Sequence, residues 1–417
     1  MKNKEFFVAN MTVATLMFLA AFLTFGVFSN ESFMAILKSG LHDRIAEFQP
    51  TYEESVNLQG VKISDTRCSK KEALPITDST DPHLRKLKEY QDLCGSFVTD
   101  TLMFFSAFPY SRDTAAEEAA AVAKTLKTFY ENGIHPIVII EPYAGGELVD
   151  YQSFLAGGYN TALDSYFQAL SEAGVTKEMM GTWVPFPESN TPNWENKNTE
   201  PKDFALAVNK YLGFLQKYYP EVKGSVLLNS TTYDPNDLEW NNGDYLSLVP
   251  YLEDVDKNLV GSFGIQGFPW VSNATVEKTR QIFRASEFLQ PDLAIISAQE
   301  LRTKDIWINT GTFAAKYADD ETKKVEVSLN DRKAMLNGIL DVAKSLEEYQ
   351  LNGYRVSINL FSEDKSGFAE ATDWSYFQNE DSKTLLREFL RKAEEYDIHV
   401  SLFDKEHRRP ETSPIID

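Results

Sequence analysis

Residues 182–190 read Thr182-Trp183-Val184-Pro185-Phe186-Pro187-Glu188-Ser189-Asn190. The first five form an apolar run of strand length, and a carboxylate, Glu188, follows the run almost at once. Similar runs recur along the chain at 94–98, 102–108, 136–140, 182–186, 225–228, 262–265, 293–297 and 355–361, which counts as eight strands. Amphipathic helical patterns separate most of them, at 114–131, 159–173, 201–219, 273–288, 329–350 and 381–396. Asp113 is the expected N-cap of the first, and Asn132-Gly133 its stop. Short apolar strands alternating with such helices describe repeated βα units and a parallel sheet. The rival architecture, a doubly wound open sheet, would carry a Gly-rich phosphate turn early in the chain. Neither GxGxxG nor GxxxxGK[ST] occurs. The expected fold is therefore an α/β protein, a closed (β/α)8 TIM barrel.

The chain preceding the barrel divides further. Lys2 and Lys4 stand before a run from Phe6 to Phe28 that has no charge and only Asn10 as a strongly polar residue. That length covers a bilayer core, and the flanking lysines favour an N-inside orientation. A cleaved signal peptide, with Val27-Phe28-Ser29 as a weak cleavage site, is the alternative. The expected organisation is a signal anchor or signal peptide over 1–30, a juxtamembrane linker over 31–85 and the barrel over 86–417. On either reading the barrel is exported, secreted or anchored at the extracellular face of a membrane. Cys68 and Cys94 are the only two cysteines. In an oxidising compartment they can pair, tying the pre-barrel segment to the first expected strand; two free thiols are the alternative.

Composition excludes several functions. A formal net charge of −21 repels phosphate backbones, and no basic stripe offsets it, so nucleic acid is not an expected partner. Five histidines, none in an HxH or HxxxH arrangement, and two cysteines make no transition-metal site, so no metal or other cofactor is expected. Aromatic residues make up 13% of the chain. They fill cores, and their flat faces also stack on sugar rings.

In a (β/α)8 barrel the chemistry sits at the carboxyl ends of the strands. The third expected strand ends in Glu141-Pro142-Tyr143, the fourth in Glu188-Ser189-Asn190 and the fifth in Asn229 through Tyr233. The sixth ends in Gln266-Gly267-Phe268-Pro269-Trp270, the seventh in Gln299-Glu300 and the eighth in Asn359 through Asp364. Glu188 and Glu300 thus follow the fourth and seventh strands, on opposite sides of the barrel mouth. A retaining glycosidase needs such a pair: one carboxylic acid to protonate the leaving oxygen, one carboxylate to attack the anomeric carbon, about 5–5.5 Å apart. Trp183, Phe186 and Trp194 can desolvate Glu188, which suits the acid role, and Arg302 near Glu300 suits the nucleophile. Glu141 and the aromatics Tyr143, Trp183, Trp194, Tyr233, Phe268, Trp270, Trp307 and Trp374 are the candidate substrate-binding residues.

Two of these stretches carry a family likeness. Ile139-Ile140-Glu141-Pro142, followed by Phe154-Leu155-Ala156-Gly157-Gly158-Tyr159-Asn160, resembles glycoside hydrolase family 26, in which a strand ending in Glu-Pro precedes an "aGxyD" segment and a helix. The stretch from Trp183 to Asn190, with Trp194, is similar to that family's fourth-strand motif, "RPFHEMNGxWYPW". The resemblance spans about residues 93–377. It implies a clan with its acid/base after strand four and its nucleophile after strand seven, hence Glu188 and Glu300, and β-mannan as substrate. Pro187 stands where the family has His, Val184 where it has Arg, and Gln299-Glu300 where it has Ser-Glu. Other β-glycans, and a barrel that only binds glycan, remain alternatives.

Overall fold

The computed structural model describes residues 67–77, 80–190, 200–229, 248–267, 304–311, 316–318, 324–326, 328–347, 350, 353–362, 364–365, 372–373, 375–377 and 379–403. The chain divides into Met1–Ser64 and Asp65–Asp417, and every described residue belongs to the second unit. The apolar run from Phe6 to Phe28 lies outside the described residues. Among the described ones, no helix is long and apolar enough to cross a membrane.

Eight parallel strands close a barrel: β1 (Thr101–Ser106), β2 (His135–Ile140), β3 (Thr182–Pro185), β4 (Gly224–Asn229), β5 (Val260–Gly267), β6 (Asp305–Thr310), β7 (Val356–Phe361) and β8 (His399–Phe403). Each pairs with the next, and β8 returns to β1. Closure removes every free sheet edge from the barrel, and its parallel strands are connected largely through helices, as parallel pairing requires. The fold expected from the strand pattern is the fold observed.

Two of the eight strands are not those expected. Residues 94–98 are no strand: Cys94 is the last residue of helix α1 (Pro82–Cys94). Asp81 caps that helix by accepting from the His83 and Leu84 amides, Pro82 starts it, and Gly95 stops it in the left-handed conformation at φ 57°. The stretch 293–297 lies outside the described residues, and the sixth barrel strand is Asp305–Thr310. The eighth, His399–Phe403, is also additional. These changes move the numbering of the strand ends. Glu188 follows the third barrel strand rather than the fourth, and Glu300 precedes β6 in chain order.

The other elements follow ordinary local rules. Helix α2 (Arg112–Glu131) begins two residues before the expected start, with Ser111 rather than Asp113 as N-cap, because Ser111 and Thr114 close a reciprocal capping box. Then come α3 (Tyr151–Ala156), α4 (Asn160–Glu172), α5 (Pro201–Tyr218), α6 (Leu248–Glu253), α7 (Leu329–Glu347) and α8 (Glu380–Glu395). A two-stranded hairpin, Tyr143–Ala144 with Glu147–Leu148, follows β2. A second small sheet joins Lys316–Ala318, Lys324–Glu326, Asp364–Lys365 and Thr372–Asp373, from the chain after β6 and β7.

Cys68 and Cys94 form a disulfide, so the covalent tie runs to a helix end and not to a strand. Residues 67–77 are held to the barrel as well: Glu394 on α8 accepts from Ser69 Oγ and the Lys70 amide, and Asn132 accepts from Thr77.

The core has two compartments, as strand alternation requires. Outward residues such as Val138, Ile140, Trp183, Val226, Ile265, Ile308 and Leu360 pack under the helices. Inside the barrel lie Met103, Ile139, Val184, Leu227, Trp307 and Phe361, with Phe105 and Ile137 against them.

Candidate active site

Glu188 sits at the carboxyl end of β3 on an unusual piece of backbone. Phe186 and Glu188 have φ of 52° and 60°, the left-handed region that L side chains seldom occupy. The surroundings hold them there. The Glu188 amide donates to Leu227 O on β4 at 2.9 Å. Asn190 grips the same strand twice: its Nδ2 donates to Asn229 O and its Oδ1 accepts from the Asn229 amide, both at 2.8 Å. Ser189 Oγ donates to Phe186 O at 2.9 Å. That uses its only proton, so the buried Tyr151 hydroxyl is the donor in the 2.6 Å bond between Tyr151 and Ser189. Burial pushes the Tyr151 hydroxyl far above its ordinary range, which keeps it a neutral donor. Beneath, the Phe186 ring is locked among Phe108, Tyr151, Phe154 and Tyr211. Strain of this kind persists only where the contacts over-determine the conformation, and it concentrates at functional sites.

The Glu188 carboxylate is half-buried and accepts a hydrogen bond from Gln266 Nε2 on β5. Gln266 belongs to a row. The strand register sets Asn229, Gln266, Asn309, Asn359 and Ser401 side by side on β4 to β8. The last four are linked in sequence: Asn309 Nδ2 to Gln266 Oε1 at 2.5 Å, Asn359 Nδ2 to Asn309 Oδ1 at 2.5 Å, Ser401 Oγ to Asn359 Oδ1 at 2.9 Å. All four are buried. Sequence reasoning placed Gln266 and Asn359 at strand ends without a role, and missed Asn309 and Ser401. The signal available was one polar residue near the carboxyl end of several otherwise apolar strands.

Other expected site residues fall in different places. Trp183 is fully buried on the helix side of β3, against Tyr166 and Phe167, with its indole N–H on Met180 O. Val184 takes the inward position, so Trp183 must face outward; it neither lines the mouth nor desolvates Glu188. Trp307 points into the barrel but lies within it, 4% exposed, donating to Ser225 Oγ at 2.8 Å. No ring face is left for a sugar. Both tryptophans are packing residues. Tyr143 is 41% exposed on the hairpin after β2. Tyr110, 44% exposed after β1, faces Gly145 of the same hairpin and was not anticipated. Glu141 is half-buried at the end of β2, its amide donating to Ser106 O. Glu300, Trp194, Tyr233, Phe268, Trp270 and Trp374 lie outside the described residues.

A second half-buried carboxylate stands near the end of β1. Glu118 on α2 accepts from Ser106 Oγ and the Ala107 amide, both at 2.9 Å. Desolvation raises its pKa although both hydrogen bonds oppose the shift. Its contacts are to the strand end, so it fixes the first βα loop.

No family model matches the chain, and no curated protein matches it. Among solved structures, an apo beta-glucosidase 1317 is similar over 75% of this chain and 88% of its own, at 10% identity and TM-score 0.45. A beta-glycosidase from Thermosphaera aggregans covers 75% and 85%, at 9% identity and TM-score 0.43. A GH113 beta-1,4-mannanase covers 75% and 94%, at 8% identity and TM-score 0.40. Likeness at these values does not speak to activity; the barrel is established by its own closed strand order.

Proposed function

We propose that the chain is an exported retaining glycoside hydrolase of β-linked polysaccharide, β-mannan foremost, with Glu188 as acid/base and Glu300 as nucleophile. One observation carries the proposal. Glu188 is a half-buried carboxylate at the carboxyl rim of a (β/α)8 barrel, on left-handed backbone stitched to β4 and bonded from β5. Such a position is where this fold puts its chemistry, and the stitching fixes the carboxylate for proton transfer. The Cys68–Cys94 disulfide supports export, since such bonds persist in oxidising compartments. Glu300 enters as the partner carboxylate from the family resemblance alone, since in chain order it precedes β6.

The test is release of reducing ends by the purified full chain on β-mannan, β-glucans and xylan, beside Glu188→Gln and Glu300→Gln. Each variant is expected to lose at least about a hundredfold in rate. Full activity in Glu188→Gln overturns the proposal. Activity surviving only in Glu300→Gln moves the nucleophile to another carboxylate. A second reading, a barrel that binds glycan without cleaving it, draws on the exposed Tyr110 and Tyr143 after β1 and β2. It requires glycan binding by a protein that releases no reducing ends.

A further inference from the structure

The row beneath Glu188 has a direction. Ser401 Oγ donates to Asn359, Asn359 Nδ2 to Asn309, Asn309 Nδ2 to Gln266, and Gln266 Nε2 to Glu188. Every donor points the same way, from β8 through β7, β6 and β5 to the residue after β3. A carboxamide has one donor end and one acceptor end, so turning Gln266 or Asn309 would set like against like at both its neighbours, and turning Asn359 would do so at Asn309, while the Ser401 hydroxyl can serve either way. The string therefore has two self-consistent states as a whole, and the acceptor oxygen that Glu188 presents to Gln266 Nε2 selects the observed one. Hydrogen-bonded dipoles aligned in series also polarise one another, and burial strengthens the effect. Asn359 is fully buried and its Nδ2 also reaches Met103 Sδ at 3.5 Å, which pins the middle of the string to β1.

We propose that Gln266, Asn309, Asn359 and Ser401 are positioning residues for Glu188, acting as one polarised string whose far end on β8 orients a carboxylate it does not touch. Gln266 is the only one of the four that the string joins directly to Glu188; the other three act through it. The string itself rests on hydrogen bonds and register. Its effect on turnover rests on the reading of Glu188 as the acid/base, and the experiment separates the two.

The protein is labelled with 15N in asparagine and glutamine side chains, and the amide resonances of Gln266, Asn309 and Asn359 are followed. Glu188→Gln is expected to shift all three, most at Gln266 and least at Asn359. Ser401→Ala is expected to shift Gln266, three links away, and Ser401→Thr, which keeps the hydroxyl, to return it. Ser401→Cys keeps the volume with a weaker donor and gives a partial shift, which preserves the test if the alanine variant does not fold. On the best β-glycan substrate, Ser401→Ala is expected to lower kcat about tenfold with KM unchanged, and Ser401→Thr to restore it. A Gln266 resonance indifferent to Ser401→Ala and Ser401→Cys, in protein of unchanged unfolding midpoint, overturns the string. If the wild-type chain cleaves no glycan but the resonances move together, the string stands and the glycosidase reading falls.

Discussion

The two halves of the barrel interior are built on different principles. Strands β1 to β4 fill it mainly with Met103, Phe105, Ile137, Ile139, Val184 and Leu227, with Ser225 and Asn229 of β4 as polar exceptions. Strands β5 to β8 place Gly264, Gln266, Asn309, Asn359 and Ser401 at their inward positions, with Trp307 and Phe361 as the apolar exceptions. Apolar packing is non-directional, so the first half is held by volume and burial. The second half is held by donors meeting acceptors, and a buried donor without its acceptor costs far more than the bond contributes when made. Glu188 stands where the two meet: its backbone continues β3 of the apolar half, and its carboxylate is bonded by Gln266 of the polar half. One half supplies a rigid shelf and the other sets the orientation.

That contrast predicts unequal responses to substitutions of similar size. Asn359→Leu, nearly isosteric, deprives Asn309 of a donor and Ser401 of its acceptor at a fully buried site. It is expected to cost about 3 kcal/mol. Leu227→Met in the apolar half keeps volume and hydrophobicity and should cost under about 1.5 kcal/mol. Urea unfolding of the pair decides the matter; equal losses would erase the distinction between the halves.

A smaller effect tests how the polar half fits its one large ring. Gly264 lies beside Trp307 in the register, and a Cβ added there would stand 2.5 Å from Trp307 Cζ2. The indole occupies space that the glycine leaves. Gly264→Ala is expected to destabilise by about 2 kcal/mol through overpacking. Trp307→Phe on its own loses the bond to Ser225. Combined, the two should cost at least about 1 kcal/mol less than their sum, because the smaller ring makes room for the methyl. Strict additivity in thermal unfolding would mean that the ring and the glycine do not share that space.

The same contrast explains what was legible in the sequence. All four strands of the apolar half were found, because runs such as Ile137 to Ile140 declare themselves. Both strands that were missed, Asp305–Thr310 and His399–Phe403, belong to the polar half, where Asn309, His399 and Ser401 interrupt the apolar pattern. The spurious strand at 94–98 arose because Cys94 and Val98 bracket a helix end; Asp81-Pro82 and Gly95 were the cap signals that outweighed it. Glu188 was legible because a carboxylate after an apolar run stands out. Its partners were not, since neighbourhood across five strands depends on register, which one sequence does not carry. Trp183 and Trp307 were misread for the same reason: an aromatic near a strand end faces ligand, barrel or helix according to a parity that the strand's exact pairing decides.

The foot of the polar half offers the smallest and most selective test. His399 opens β8, with Nε2 3.0 Å from Thr101 Oγ and 3.7 Å from Asp100. Burial lowers its pKa from 6.5, and Arg355, His135 and Lys71 push the same way, while Asp100 opposes them. His135 at the start of β2, though exposed, is lowered by desolvation too, again against Asp100. A histidine with a folded pKa below its unfolded one binds fewer protons when folded, so the fold is favoured above pH 6.5 and loses stability as pH drops through 6.5 toward the folded value. Glu118 works in the other direction: its raised folded pKa means that the folded state binds more protons, and stability rises as pH falls through that value. Comparing variants with wild type cancels the Glu118 contribution. His399→Gln should therefore flatten part of the stability loss below pH 6.5, and His399→Gln with His135→Gln should flatten more, each read from urea midpoints at stepped pH. An unchanged slope in the single variant would show that His399 titrates alike in both states, and that the polar half carries its pH sensitivity elsewhere than at its foot.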